Sequence, residues 1–293
     1  MKIKIIYTIH VLLTAFLMIC SQYEIFSQIK DITKVKQPGL FVGFSLGPSQ
    51  SQIINQGTLS VSGLLSNKMN SFFGSVEIGY FFSHHIGLST GIGFDSYKTQ
   101  LILATYQNKF NTIDSENEAY ERQVSGADIK EVQDVGFLSV PICLNIRLPF
   151  NETIGFFLQP GINLAFPLSK KYTISGTFTY KGYYPAYNVL LENLPDYGFP
   201  SNHSTVANGE LELKPLNVNA IVSAGFDFFV QKRIQVAVAA FYNKSLSNIS
   251  SYSSPNEFQL SSDVDQINSL MMGSSKVSAQ SIGIKISFRY FLR

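Results

Sequence analysis

Eight stretches of this 293-residue chain alternate apolar residues with small or polar ones, each for about eight to thirteen positions. A period of two places successive side chains on opposite faces of a β-strand. The stretches are 40–47, 72–82, 86–96, 137–148, 154–166, 216–228, 234–243 and 281–292. In 86–96, for example, Ile86, Leu88, Thr90, Ile92 and Phe94 oppose Gly87, Ser89, Gly91, Gly93 and Asp95. Strands of soluble domains average about five or six residues, whereas a tilted strand needs about 9–11 to cross the hydrocarbon layer. The connections also sort by length. Segments 48–71, 97–136, 167–215 and 243–280 are long; 83–85, 149–153 and 229–233 are short. Long extracellular loops alternating with short periplasmic turns are the plan of an up-and-down outer-membrane barrel. The expected fold is therefore all-β, an eight-stranded antiparallel transmembrane β-barrel. Closure is required, because an open edge would leave unpaired backbone groups in lipid at several kcal/mol each.

The N-terminus agrees with export. Lys2 and Lys4 precede an apolar run over 5–19, and polar, small residues follow over 21–28. That order predicts a signal peptide over 1–27, a periplasmic lead over 28–38 and the barrel domain over 39–293. Cys20 opens a lipoprotein alternative, opposed by bulky Ile19 where a small residue is expected. The location implied is the outer membrane of a Gram-negative bacterium. Removing 1–27 leaves Cys143 as the sole cysteine, which excludes an intramolecular disulfide. Charged residues are 14% of the chain, below the quarter typical of soluble domains. The net charge of +2, without a Lys/Arg cluster, excludes nucleic acid as a partner. Aromatic residues gather at the ends of the runs: Tyr80, Phe81, Phe82, Phe150, Phe228, Phe229, Phe288, Tyr290 and Phe291 at the short turns and C-terminus, and Phe94, Tyr97, Phe166, Tyr172 and Tyr242 opposite. They read as two interfacial girdles.

Alternation assigns Glu77, Asp95 and Asp227 to the lumen against Arg147, Lys285 and Arg289, with Asn145, Gln159 and Asn163 beside them. An eight-stranded barrel is only wide enough for its own side chains. The expectation is a balanced charge network that plugs the lumen; the alternative is an ion path. The third long connection crowds Tyr180, Tyr183, Tyr184, Tyr187 and Tyr197 together. Tyrosine offers large contact area at low conformational cost, so a protein or glycan could bind there. Equally, 173–181 could extend the hairpin, with its tyrosines packing on one another. The charged stretch 111–130 reads as a solvated arm. Chemistry has little support. His84 and His85 are adjacent and would point apart on a strand. His203 with Ser201, Ser204 and Glu210 is a weak catalytic candidate, and Cys143 reads as a small packing residue. No catalytic residue, metal ligand or cofactor is expected.

A resemblance appears in the strand sequences. Phe137-Leu138-Ser139-Val140-Pro141-Ile142-Cys143-Leu144-Asn145-Ile146 resembles the aromatic-Leu-x-Ile-Pro-Leu-x-Leu strand of the PorT-like outer-membrane β-barrel family of Bacteroidetes. Leu158–Leu164, Ala224–Asp227 and Phe241–Ile249 are similar to later strands of that family. The chain departs from it at Ser245, where the family has Gly, and at its end, Phe291-Leu292-Arg293, where the family finishes on an aromatic. The resemblance implies the barrel fold, the outer-membrane location and a link to type IX secretion. The expected function is that of a non-enzymatic outer-membrane protein, working through its extracellular loops or as an accessory of secretion or envelope assembly. The alternatives are a small-solute channel and a barrel enzyme. The expected partners are outer-membrane lipid, the barrel-assembly machinery during biogenesis, and a protein or glycan at the loops.

Overall fold

The computed structural model describes residues 39–58, 63–252, 259–264 and 266–292. The expected signal peptide and periplasmic lead lie outside the described residues. Twelve strands follow in order: β1 Gly39–Thr58, β2 Leu65–Phe81, β3 Ile86–Ile113, β4 Ala119–Pro149, β5 Ile154–Tyr184, β6 Val189–Glu192, β7 His203–Glu210, β8 Asn217–Gln231, β9 Ile234–Ser245, β10 Ser261–Asp263, β11 Gln266–Ile267 and β12 Ser274–Phe291. Eight of them, β1–β5, β8, β9 and β12, form a closed antiparallel ring. The chain's first and last strands seal it, from Phe41 opposite Phe291 to Thr58 opposite Ser274.

The faces follow the alternation. Leu40, Val42, Phe44 and Leu46 of β1 point outward and are exposed, while Phe41, Ser45 and Ser49 point in and are buried. Ile282, Ile284, Ile286, Phe288 and Tyr290 do the same on β12. This outward apolar face is the lipid contact. The inward face is small because the strands close tightly: a Cβ on Gly47 would meet the Ile284 carbonyl, and one on Gly225 the Val238 carbonyl. Pro141 is accommodated by a lapse in one ladder. Pairing of β4 with β3 stops between Ile142–Thr90 and Ser139–Gly93, and on the other side Pro141 still pairs with Asn163 of β5. The missing N–H thus removes a bond on one side only.

Two expectations need correction. First, the long connections are largely strand. β4 and β5 have 31 residues each, about three times what the bilayer requires. Pairing of β3 with β4 continues to Ile113 opposite Ala119, and β4 with β5 to Glu121 opposite Tyr183. The cross-strand ladder does not stop at the membrane, because the alternation resumes there around a second apolar cluster. Leu103, Tyr106, Val124, Ile129, Ile174 and Phe178 of the extended strands pack with Leu260, Ile267 and Leu270 of the last connection. β7 continues this sheet beside β5, and β6 pairs with β5 near its tip. Second, not all the rim aromatics face lipid. Phe81, Phe229 and Phe291 turn inward and meet Phe41 as a cluster at the periplasmic end. Tyr97 is also buried, edge-on to Phe137 with ring centroids 5.5 Å apart. Each is an odd-numbered neighbour of outward residues, so strand parity overrides closeness to a turn. Tyr80, Phe82, Phe150, Phe228, Phe288 and Tyr290 remain outward at one rim, and Phe94, Phe166 and Tyr242 at the other.

Candidate functional site

The lumen is built in layers. At the periplasmic end lie the four phenylalanines Phe41, Phe81, Phe229 and Phe291. Above them sit two buried ion pairs. Arg147 of β4 holds Asp227 of β8, with Nε 2.9 and 3.0 Å from the two carboxylate oxygens and Nη2 2.7 Å from Oδ1. Arg289 of β12 donates from Nε to Glu77 Oε1 of β2 at 2.7 Å. Both guanidinium groups lie over rings of the floor, Arg147 4.9 Å from the centroid of Phe229 and Arg289 4.9 Å from that of Phe41. Such stacking adds attraction where water is excluded. An amide relay follows upward. Asn145 Oδ1 accepts from Arg289 Nη2 and from Gln159 Nε2, Asn145 Nδ2 donates to Ser89, and Lys285 Nζ donates to Gln159 Oε1 at 2.6 Å.

The six lumen charges do not form three pairs. Lys285 takes the Gln159 amide, and Asp95 accepts from Asn163 Nδ2 at 3.0 Å. Alternation tells which face a residue occupies, while its height in a sheared barrel depends on register. Asp95 and Lys285 line a common cavity of about 50 Å³ with Cys143, Ser223 and Asn243. That volume holds a few water molecules. Asn163 Oδ1, Ser223 Oγ and Asn243 Oδ1 have no partner among the described residues and are available to such water. Above the cavity, Met271 is fully buried among Ile53, Tyr97, Phe137, Leu213 and Val277 and closes the mouth.

The last connection is strapped across the inner face of the extended sheet. Leu260 N–H donates to Tyr106 Oη at 2.9 Å, and the Tyr180 and Ser261 hydroxyls are 2.8 Å apart. Arg122 Nη2 reaches Asp263 Oδ1 at 3.2 Å. Glu131, fully buried, accepts from Ser269 Oγ at 2.7 Å, from Leu270 N–H at 2.6 Å and from Gln133 Nε2 at 2.6 Å. Burial pushes the Glu131 carboxyl above its ordinary range, partly offset by the Gln133, Leu270 and Ser269 donors. A carboxyl that binds its proton more tightly when folded stabilises fully below its ordinary pKa, and that contribution is lost as pH rises through the folded value. Glu131→Ala leaves three buried donors, Ser269 Oγ, Leu270 N–H and Gln133 Nε2, without this acceptor, at about 1–3 kcal/mol for each that finds no other partner. Limited proteolysis is expected to cut the last connection faster in this variant while the barrel stays folded. Glu131→Gln is expected to flatten the pH dependence of that protection; an unchanged pH profile would count against the assignment.

These contacts correct the reading of 111–130 as a solvated arm, since Arg122 is buried against Tyr180 and Phe199. They also remove Tyr180 from the accessible tyrosines, because its side chain is fully buried in the upper cluster. Arg122 and Glu131 escaped the sequence reading because a charged run carries no sign of which members a distant loop will cover. Of the other tyrosines, Tyr183 and Tyr184 are half-buried, and Tyr187 and Tyr197 are exposed. Tyr184 donates to Asp114 Oδ2 at 3.1 Å and Tyr187 to Glu118 Oε1 at 2.6 Å, joining the tips of the two hairpins. His203 and Glu210 stand at opposite ends of β7 and on opposite faces. Ser204, adjacent to His203, also faces away from it. His85 Nδ1 lies 3.1 Å from the Arg147 carbonyl oxygen.

A closed ring of eight antiparallel strands with an apolar exterior is a barrel made for lipid, and the sequence matches the family model "Outer membrane protein beta-barrel domain" over residues 26–251. The chain belongs to this outer-membrane β-barrel family. Its place is the outer membrane of a Gram-negative bacterium. No curated protein matches the sequence. Among solved structures, this family member is similar to Neisserial surface protein A, with 9% identity and a TM-score of 0.37, covering 87% of this chain and 97% of that one. It is similar to OprG from Pseudomonas aeruginosa at 12% identity and a TM-score of 0.39, covering 87% and 98%. It is also similar to Ail, the attachment invasion locus protein of Yersinia pestis, at 10% identity and a TM-score of 0.29, covering 87% and 100%.

Proposed function

We propose that this barrel is a non-enzymatic surface protein that holds an extended sheet above the outer membrane for a protein or glycan partner, as an accessory of secretion or envelope assembly of the PorT-like kind. The observation that carries the reading is where the chain places its surplus length. β3, β4 and β5 run far past the membrane, and their tips present Tyr187 and Tyr197 with Ile113, Val189, Leu190 and Leu194 exposed around them. Exposed apolar side chains clustered at one end are the usual mark of an interaction site, and tyrosine is a frequent anchor. A lumen filled by ion pairs and closed at both ends favours this role over a small-solute channel. During biogenesis, the outward Phe288 and Tyr290 of the last strand are the aromatics left for the assembly machinery to read, because Phe291 is turned into the lumen.

Affinity capture from native membranes tests the proposal. Wild-type protein is expected to retain a specific partner, and Tyr187→Ala with Tyr197→Ala to weaken its retention at least tenfold, the scale of an interface anchor. Equal retention by a variant that still folds would remove the tip from the interface.

A further inference from the structure

Charge is sorted by height on the extracellular part. Around its base, Lys68, Lys130, Lys171, Lys214, Lys244 and Lys276 are exposed, and none has a carboxylate within ion-pair distance among the described residues. They are spread over β2, β4, β5, the entry to β8, β9 and β12, so they encircle the barrel. Four of them follow closely on the lipid-facing surface. Lys244 is two residues past Tyr242, Lys214 two from Leu216, Lys68 four from Phe72 and Lys171 five past Phe166. At roughly 3.3 Å per residue, that places them from about 7 to 17 Å along the strands beyond these four rim residues, with Leu65, Leu168 and Leu246 exposed among them.

The tip has the opposite sign. Residues 113–121 and 183–198 contain Asp114, Glu116, Glu118, Glu121, Glu192 and Asp196 and no lysine or arginine. The lysines nearest to it are occupied, Lys109 by Glu121 and Lys181 by Glu192. At the base, Lys98 and Lys170 are likewise taken up by Asp134 and Glu210. Among the described residues there, the exposed acidic groups without an ion pair are Glu212 and Asp128.

A band of free ammonium groups continuous with a lipid-facing wall matches an anionic headgroup layer, and an acidic tip is repelled from the same layer. We propose that the basal lysines, chiefly Lys68, Lys171, Lys214 and Lys244, bind phosphate groups of the glycolipid of the outer leaflet. This anchors the barrel at a set depth and keeps its extended sheet upright. The site is separate from the tip and does not depend on what the tip binds.

The test uses full-length folded protein in neutral detergent micelles, with a diphosphorylated lipid A glycolipid and its dephosphorylated form as probes. Wild type is expected to bind the phosphorylated probe at least tenfold more tightly, and added salt to reduce the difference. Each Lys→Gln substitution among the four is expected to weaken binding roughly fivefold, the weight of one lysine near an anionic surface. Lys109→Gln with Lys181→Gln, beside the tip, is expected to leave it unchanged. Heat-modifiable migration on gels reports folding, and if the quadruple variant does not fold, Lys171→Gln and Lys244→Gln singly carry the comparison. Equal affinity for the two probes, or no loss on substituting folded basal lysines, overturns the proposal. So does a tip double variant as impaired as the basal ones.

Discussion

Replacing Arg147 by alanine is expected to lower the unfolding free energy of the barrel by about 3–5 kcal/mol, the cost of leaving one member of a buried ion pair alone. Asp227 accepts three hydrogen-bonding contacts from this single guanidinium and is almost wholly buried. With Arg147 gone, its charge has no salt-bridge partner among the described residues. The loss has a second part, because the guanidinium also covers the Phe229 ring of the floor. Arg147→Lys is expected to recover only a fraction, since an ammonium cannot make the same forked contact. The double replacement Arg147→Leu with Asp227→Leu is expected to be milder than either single truncation, because no charge is then stranded. Urea titration of the folded fraction, read by heat-modifiable migration, measures all three. A single truncation that costs less than about 1 kcal/mol would show that water compensates the stranded charge, and the lumen would then be wetter than its packing implies.

The second large effect concerns permeability. In planar bilayers the purified protein is expected to show no large steady conductance. An ion would have to pass the cluster of Phe41, Phe81, Phe229 and Phe291, the two buried ion pairs above it and the Met271 closure, and the cavity between them is about 50 Å³. Stripping an ion of water in such a passage costs several kcal/mol. Shortening Phe81 and Phe291 to alanine removes half of the floor and leaves Met271 in place, so channel activity is expected to stay near background. A combined variant that also carries Glu131→Ala, which frees the strap behind Met271, is expected to give frequent openings. A reproducible nanosiemens pore from the unaltered protein would refute the sealed lumen and bring the channel reading forward.

Eight crossing strands and the sorting of their faces were legible in the chain, since each rests on a period-two pattern that one segment carries by itself, and the closed ring followed because lipid tolerates no open edge. The lipid face of β1 and β12 could be written down from alternation because a strand shows every second side chain to the same side. Parity likewise placed Glu77, Arg147, Asp227 and Arg289 inside. It could not say that Arg147 would meet Asp227 or that Lys285 would meet Gln159, since partners come from strands far apart in sequence and from the register between them. The inward turn of Phe81, Phe229 and Phe291 was also available from parity, and was obscured by their closeness to the rim.

The extracellular part is written less plainly in the chain. Beyond the membrane no lipid demands an apolar outer face, so β3, β4 and β5 carry polar residues outward and their alternation weakens to the eye while the ladder persists. Their apolar inner face is covered by Leu260, Ile267 and Leu270, more than eighty residues away in the chain, and only the folded molecule could bring that strap to Tyr106, Arg122 and Glu131. Local pattern therefore determined what crosses the membrane and which way each crossing residue points. Tertiary contact alone decided which charges pair, which carboxylate is buried, and where the free lysines and the acidic tip stand relative to the lipid, because those depend on register and on loops meeting across the sheet.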